Sequence, residues 1–225
     1  MDKTHFVVTA DGSRTLYQPE VGEHYHSKHG AYQESKHVFL GQGLQHYLAD
    51  NPTDTEVNIL EVGFGTGLNF LLTADYVSTQ QQDLYYCGVE AYPLSQEVIS
   101  QMGYDGYVEP ALWENFLTNY ESGIGNKSQV NAQVTLEIAH QKILSFTPEK
   151  RFHVVYFDAF AAIHQPEMWT DEVLSHVANF LVPGGIFVTY AITGNLKRSM
   201  KALGFSIEKA PGAPGKREML RATKQ

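Results

Sequence analysis

A chain of 225 residues, 43% of them hydrophobic, suits one domain with a sizeable core and an added flap or extension. No stretch approaches the ~18 apolar residues of a membrane span. The charged N-terminus from Met1 to Ala10 has no apolar signal region, so a cytoplasmic protein is expected. One cysteine, Cys87, excludes an internal disulfide framework, and a net charge of −9 argues at first against a nucleic-acid partner.

Residues 1–50 are polar, aromatic and histidine-rich and are expected to be an N-terminal extension covering the active site. They include a short hairpin over residues 5–9 and 14–17 and helix from Glu34 to Leu48. Residues 51–225 then alternate strands with helices. Val57 to Val62 is an apolar strand ending in glycines, and Leu68 to Tyr76 a helix. Leu84 to Val89 is a strand, with Cys87 as a buried small hydrophobe, and Pro93 to Met102 a helix. Val134 to Ile138 and Val154 to Phe157 are further strands. Asp171 to Leu181 is a helix, Pro183-Gly184-Gly185 a turn, Ile186 to Ala191 a strand and Asn195 to Leu203 a helix. Phe205 to Ala210 and Glu218 to Ala222 close the chain as an antiparallel hairpin at the sheet edge. The pattern predicts an α/β, Rossmann-like fold with a mostly parallel sheet.

Glu61-Val62-Gly63-Phe64-Gly65-Thr66-Gly67 lies between the first strand and first helix of this domain. Glycines there permit a sharp turn and close ligand approach. A dinucleotide fingerprint needs a third glycine where Leu68 stands, and the G-K-[ST] of a P-loop is absent. The remaining pattern, E-x-G-x-G-x-G, resembles the first motif of Rossmann-like class I S-adenosyl-L-methionine-dependent methyltransferases. That resemblance implies this cofactor, with the glycines facing its amino-acid part and ribose and Glu61 near the ammonium. It also implies a carboxylate after the next strand for the ribose hydroxyls, and Glu90 stands there, followed by Ala91. Phe64, Thr66, Asn69 and Asp158 complete the expected cofactor set.

Val154 to Phe157 ends in Asp158, and ligands of open α/β sheets bind outside the carboxyl ends of strands. A carboxylate there can orient an amine, stabilise the charge that develops on nitrogen and accept a proton, which makes Asp158 the candidate catalytic residue. The alternative is a helix cap.

The match extends further. The run from Glu61 to Leu71, Asp158-Ala159-Phe160-Ala161 with Pro166-Glu167-Met168-Trp169, and Gly215-Lys216-Arg217-Glu218-Met219-Leu220 resemble the methyltransferase half of the bacterial bifunctional MnmC enzymes. So do Thr189-Tyr190, Gly204-Phe205 and an N-terminal segment with Tyr25-His26-Ser27, Gly30, Glu34-Ser35 and Val38 to Gly41. The resemblance covers roughly residues 15–222. It implies methylation of 5-aminomethyluridine, or its 2-thio form, at the tRNA wobble position. A chain ending at Gln225 is expected to be a stand-alone methyltransferase without the flavin oxidase domain. Two places depart from the family. Glu137-Ile138-Ala139-His140 replaces a Gly-Asp pair near the adenine, and Ala161-Ala162-Ile163-His164 replaces a proline-containing stretch.

The resemblance places Tyr25, His26, Ser27 and Lys28 over cofactor and substrate, and His24, His26 and His29 lack the cysteine or carboxylate that would complete a zinc set, so no metal is assigned. Phe160, Trp169 and Tyr190 are candidates for stacking on a splayed-out anticodon-loop base, with core packing as the alternative for Trp169 and Tyr190. Residues 197–225 hold Lys197, Arg198, Lys201, Lys209, Lys216, Arg217, Arg221 and Lys224 against only Glu208 and Glu218. Lys216 and Arg217, in the last turn, suit tRNA phosphates, while an ordinary solvated face explains the charge equally well. The rival readings are a polyamine aminopropyltransferase and an RNA-binding relative that has lost catalysis.

Overall fold

A computed structural model describes residues 5–80 and 82–225. The chain opens with a three-stranded antiparallel sheet of β1 (His5–Val8), β2 (Arg14–Gln18) and β3 (Glu23–His24), in which His5 faces Tyr17. The hairpin expected over residues 5–17 is the β1–β2 pair. Helix α1 (Ala31–Glu34), a wide-turned π-helical stretch (Ser35–Gln45) and α2 (His46–Asp50) follow without a break. The π-helical stretch packs on the main sheet through Gly43, where a Cβ would come within 2.8 Å of Tyr156.

The main sheet has eight strands. They are β4 (Glu56–Val62), β5 (Asp83–Glu90), β6 (Lys127–Gln129), β7 (Val134–His140), β8 (Phe152–Phe157), β9 (Leu181–Thr189), β10 (Phe205–Pro211) and β11 (Glu218–Lys224). Their spatial order is β10-β11-β9-β8-β4-β5-β7-β6. β4 pairs in parallel with both β5 and β8. The chain therefore moves outward from β4 in one direction and later returns to its other side, which leaves a crevice beyond the carboxyl ends of β4, β5 and β8. Strand interiors such as Val57, Ile59, Leu60, Val154 and Val155 are fully buried because helices cover both faces.

The intervening helices are α3 (Leu68–Gln80), α4 (Gln96–Ser100), α5 (Pro110–Gly123), α6 (Asp171–Ala178) and α7 (Gly194–Ala202). The structure differs from the sequence reading in several details, among them the short strands β3 and β6 and the end of α6 at Ala178, with Leu181 already in β9. The helix expected from Pro93 begins only at Gln96, because Ser95 caps it by accepting the Val98 N–H. Pro183-Gly184-Gly185 is not a turn between elements but an irregular stretch inside β9, where the register against β8 shifts. The C-terminal hairpin is antiparallel as expected, yet β11 inserts between β9 and β10, so β10 alone of the two hairpin strands lies at the sheet edge. Helix α5 was not assigned, although Pro110 at its first turn and Leu112, Trp113, Phe116 and Tyr120 mark one buried face.

Candidate active site

The glycine turn leaves β4 through Gly63, whose N–H donates to Val89 O at 3.0 Å. Gly63 has φ +89°, and a Cβ there would lie 2.5 Å from Asp158 O. The turn after β4 and the turn after β8 thus touch through a position that only glycine can fill. Gly65 has φ +53° and makes room for the Tyr25 ring, 3.0 Å from where a Cβ would stand. Gly67 packs against Phe116 and Phe64. Phe64 in turn lies over Gly88 of β5, where a Cβ would overlap its ring at 2.2 Å. Gly88 is therefore part of the turn's support, and the sequence reading missed it.

Glu90 holds this wall from the side. Its Oε2 accepts the Gly65 N–H at 3.0 Å and its Oε1 accepts the Tyr92 N–H at 2.9 Å. Each oxygen keeps a second lone pair for a ligand hydroxyl. Thr66 is buried with its hydroxyl on Tyr104 at 2.8 Å. The turn borders a cavity of about 760 Å³ that also meets Asn69, Val89, Ala91, His140, Ile143 and Asp158. His140 is paired with Glu90 across β5 and β7, so it stands at the far end from Asp158 where the family's Gly-Asp pair is replaced.

Behind the turn lies a network of two carboxyl groups. The Asn69 amide donates to Glu61 Oε1 at 2.7 Å and to Asp158 Oδ2 at 2.8 Å. Tyr86 donates its hydroxyl to Glu61 Oε2 at 2.7 Å. Burial, with Asp158 nearby, holds the Glu61 carboxyl well above the usual carboxylate range against the pull of the Asn69 and Tyr86 donors. Burial, reinforced by Glu34, pushes Asp158 up to about 8, while Asn69 and Lys216 pull it down. Asp158 accepts its side-chain hydrogen bond from Asn69 and does not cap the segment that follows.

A second cavity of about 330 Å³ shares Tyr25, His26, Ala159 and Phe160 with the first. Tyr25 and Phe160 meet edge to face at 5.1 Å. Burial lowers the His26 imidazole to about 4, so this shared wall is uncharged at neutral pH. The far wall carries Glu23, Glu34, His164, Tyr190 and Lys216. Glu23 Oε2 accepts the Ala161 N–H at 2.7 Å and pins the altered loop after Asp158. Tyr190 donates its hydroxyl to Ala159 O at 2.9 Å, and Trp169 Nε1 donates to Phe160 O at 2.8 Å.

Two cavities share a wall at the carboxyl edge of a parallel sheet, and the larger is bordered by a glycine turn and by a carboxylate with free lone pairs, an arrangement that can hold two ligands side by side. A family model for S-adenosyl-L-methionine-dependent methyltransferases matches residues 107–225. The chain belongs to this methyltransferase family. The methyltransferase is also 33% identical over 217 residues to the "tRNA 5-methylaminomethyl-2-thiouridine biosynthesis bifunctional protein MnmC" of Magnetococcus marinus, covering 92% of this chain and 32% of the relative. The protein of the same name from Cupriavidus necator is 31% identical over 227 residues, covering 95% and 33%. The methyltransferase thus spans about a third of the length of the curated relatives it matches. Among solved structures, MNMC2 from Aquifex aeolicus superposes with a TM-score of 0.78 at 22% identity, over 99% of this chain and 70% of that one, which establishes a common fold.

The cofactor of the methyltransferase is S-adenosyl-L-methionine, and the larger cavity fits it in size and in its donor set. Of the residues expected around the cofactor, Gly63, Phe64, Gly65, Thr66, Asn69, Glu90, Ala91 and Asp158 border this cavity. Glu61 and Gly67 sit one layer behind it. Of the residues expected around the acceptor, Tyr25, Ser27, Lys28, Phe160, Tyr190 and Lys216 border the smaller cavity, and Arg217 is exposed beside it in sequence. The Lys216 side chain is about one-third exposed, with its ammonium paired to Glu34 and lying over the Tyr190 ring. Glu23, Glu34 and His164 were not singled out as acceptor contacts. Among the described residues no group of three His, Cys, Asp or Glu is arranged to hold a metal ion, and no helix is long and apolar enough to cross a membrane.

Proposed function

We propose that this methyltransferase methylates the aminomethyl nitrogen of 5-aminomethyluridine, or its 2-thio form, at the wobble position of tRNA, giving 5-methylaminomethyluridine. The observation that carries the reading is the position of Asp158, at the end of β8 on the wall of the cofactor cavity, with Ala159 and Phe160 leading directly into the acceptor pocket. The names of the relatives supply the substrate class.

Held by the glycine turn and Glu90, S-adenosyl-L-methionine would supply an electrophilic methyl group for a neutral amine nitrogen, with the thioether as the leaving group. The rest falls to the protein. Asn69 occupies one oxygen of Asp158 and so fixes the direction of the other. The Asp158 carboxylate accepts an N–H of the incoming amine, aims its lone pair and stabilises the charge that develops on nitrogen. Only the ionised form can do this, and the positive charge of the sulfonium would favour that form over the neutral carboxyl of the empty pocket; once ionised, its raised affinity for protons suits it to take up the proton that the methylated ammonium releases. Phe160 and Tyr25 supply aromatic faces for the base. Tyr190, fixed by Ala159 and carrying Lys216 over its ring, closes the far wall. The anticodon loop would bring the base, and the exposed Lys28 and Arg217 suit its phosphates.

Incubation with labelled S-adenosyl-L-methionine and tRNA from cells lacking the modification, followed by nucleoside mass spectrometry, tests the reading. A methyl group gained on 5-aminomethyluridine is the expected result. Binding of the cofactor without any methylated uridine would reject this acceptor, and transfer to a free polyamine instead would move the protein to the rival amine-transferase class.

A further inference from the structure

The acceptor pocket contains an ammonium group of its own. Lys216 Nζ lies 2.8 Å from Glu34 Oε1 and 3.9 Å from the centroid of the Tyr190 ring. Both partners are fixed. Glu34 is 6% exposed and its Oε2 accepts the Ser27 N–H at 2.8 Å, while Tyr190 is tied to Ala159 O. The backbone that presents Lys216 is fixed too. Gly215 has φ +88° with the His29 ring packed where a Cβ would stand, and the Lys216 N–H donates to Ala213 O at 2.8 Å.

A buried carboxylate facing an aromatic ring is a good host for an alkylammonium. Here that host lies in the same pocket that must receive an alkyl amine, and an alkyl amine in water is mostly protonated at neutral pH. An ammonium has no lone pair with which to attack a methyl group. A pocket that bound the acceptor tightly as an ammonium would bind its unreactive form. We propose that Lys216 is a positioning residue that fills the cation site made by Glu34 and Tyr190 and thereby keeps the acceptor amine neutral and nucleophilic. The inference rests on the reading of the acceptor as an amine given above.

The other charges around Lys216 set the size of the effect. Glu23 from β3, and Asp158 after β8 when it is ionised, favour a cation in the pocket. Lys28 and Lys216 oppose one, and His24, His26 and His164 border the same space. Glu23 already accepts the Ala161 N–H and Glu34 is engaged on both oxygens, so removal of Lys216 leaves Glu34 as the uncompensated host.

The test is the pH dependence of steady-state methyl transfer to 5-aminomethyluridine tRNA, measured for wild type, Lys216→Met and Lys216→Arg. With Lys216→Met the acid limb of kcat moves up by about one unit, kcat near pH 7 falls about tenfold, and KM for the acceptor falls as well, because the ammonium form now binds. Lys216→Arg keeps the limb in place. Adding Glu34→Gln to Lys216→Met removes the host and returns the limb toward wild type. The same comparison in an Asp158→Asn background separates titration of the amine from titration of Asp158, and the shift is expected to persist there. If Lys216→Met does not fold, Lys216→Gln carries the same expectation. An unmoved limb with kcat lowered and KM raised would mean that Lys216 only anchors its loop, and a shift that vanishes with Asp158→Asn would assign the limb to that carboxyl. Either result overturns the proposal. Absence of methyl transfer by the wild type would instead reject the amine acceptor itself.

Discussion

The cofactor cavity and the acceptor pocket share four residues, yet they are built by opposite means. The cofactor wall is mainly main chain: the Gly63 and Gly65 turn, the Gly65 and Tyr92 N–H groups on Glu90, and a glycine in β5 beneath Phe64. The acceptor wall is mainly side-chain charge: Glu23 on a loop N–H, Glu34 between Ser27 and Lys216, and Tyr190 under an ammonium. The first has no room for a Cβ at Gly63 or Gly88, and the second depends on the charges of its side chains. The difference predicts that substitutions in the two walls fail in different ways.

The largest effect is expected at the seam between them. In Gly63→Ala the new Cβ meets a main-chain oxygen, Asp158 O, at 2.5 Å, and a non-glycine residue must hold φ +89°. Strain of this kind costs about 1–3 kcal/mol, and the collision pushes the two turns apart in addition. Both cofactor binding by calorimetry and methyl transfer should be lost to below about one hundredth of wild type, with a lowered midpoint of thermal unfolding. Normal cofactor affinity in this variant would show that the turn can shift without the Asp158 loop, and that the seam does not exist.

Asp158→Asn comes next and acts on one side of the seam. Loss of a positioned acid–base group lowers kcat by about a hundredfold or more, while cofactor affinity stays within about fivefold. The substitution also has a signature in stability. Asp158 has its folded pKa raised to about 8 from the ordinary 3.8, so its contribution is fully present below the ordinary value and is lost as pH rises through about 8. Denaturant unfolding of the cofactor-free wild type should therefore weaken between about pH 4 and 8, and Asp158→Asn should flatten that part of the profile. An unchanged slope would mean that Asp158 ionises freely, which would remove the reason for its proton uptake.

The two walls differ just as much in how far they could be read from sequence. The glycine turn, Glu90 and Asp158 occupy strand ends of a regular α/β repeat, so alternation of apolar runs and turns places them, and these residues do gather around one cavity. The acceptor wall has no such periodicity. Glu34 meets Lys216 across 182 residues, and Glu23 meets Ala161 across 138. Glu23 lies in no motif, and Glu34 lies in the N-terminal segment that resembles the family without any signal of its partner, so the charge of Lys216 is visible in sequence and its pairing with Glu34 is not. The C-terminal basic surplus is reduced in the same way: Arg221 pairs with Glu208, Lys209 with Glu218, and Lys224 donates to the carbonyls of Ala178 and Leu181. Helix α5 escaped for a local reason, since its buried face is aromatic and interrupted by polar residues.

Glu90→Gln sharpens the cofactor side alone. Glutamine offers one oxygen where two backbone N–H groups now find acceptors, so its amide nitrogen must face either the Gly65 or the Tyr92 N–H. One unmet bond and the lost charge are worth about 1–2 kcal/mol, or roughly tenfold in cofactor affinity. Acceptor KM should not move. A parallel loss in both constants would show that the two cavities are coupled through Glu90, contrary to the division drawn above.

Trp169→Phe should give the smallest effect, and it isolates the acceptor side. The indole N–H is the donor to Phe160 O, and the ring packs on Phe157 at 5.1 Å and on Tyr190 at 6.3 Å. Phenylalanine keeps much of the packing and removes the donor. Phe160 O is then left without this partner, at a cost of about 1 kcal/mol. The Phe160 ring faces both cavities, but its main chain belongs to the loop after Asp158, whereas the glycine turn is held by Glu90 and Gly88. Looser placement of Phe160 should therefore raise the acceptor KM by about threefold to fivefold and leave cofactor affinity unchanged. A change in cofactor affinity instead would show that Phe160 is held mainly from the cofactor side, and the boundary between the two walls would have to be moved to the other face of its ring.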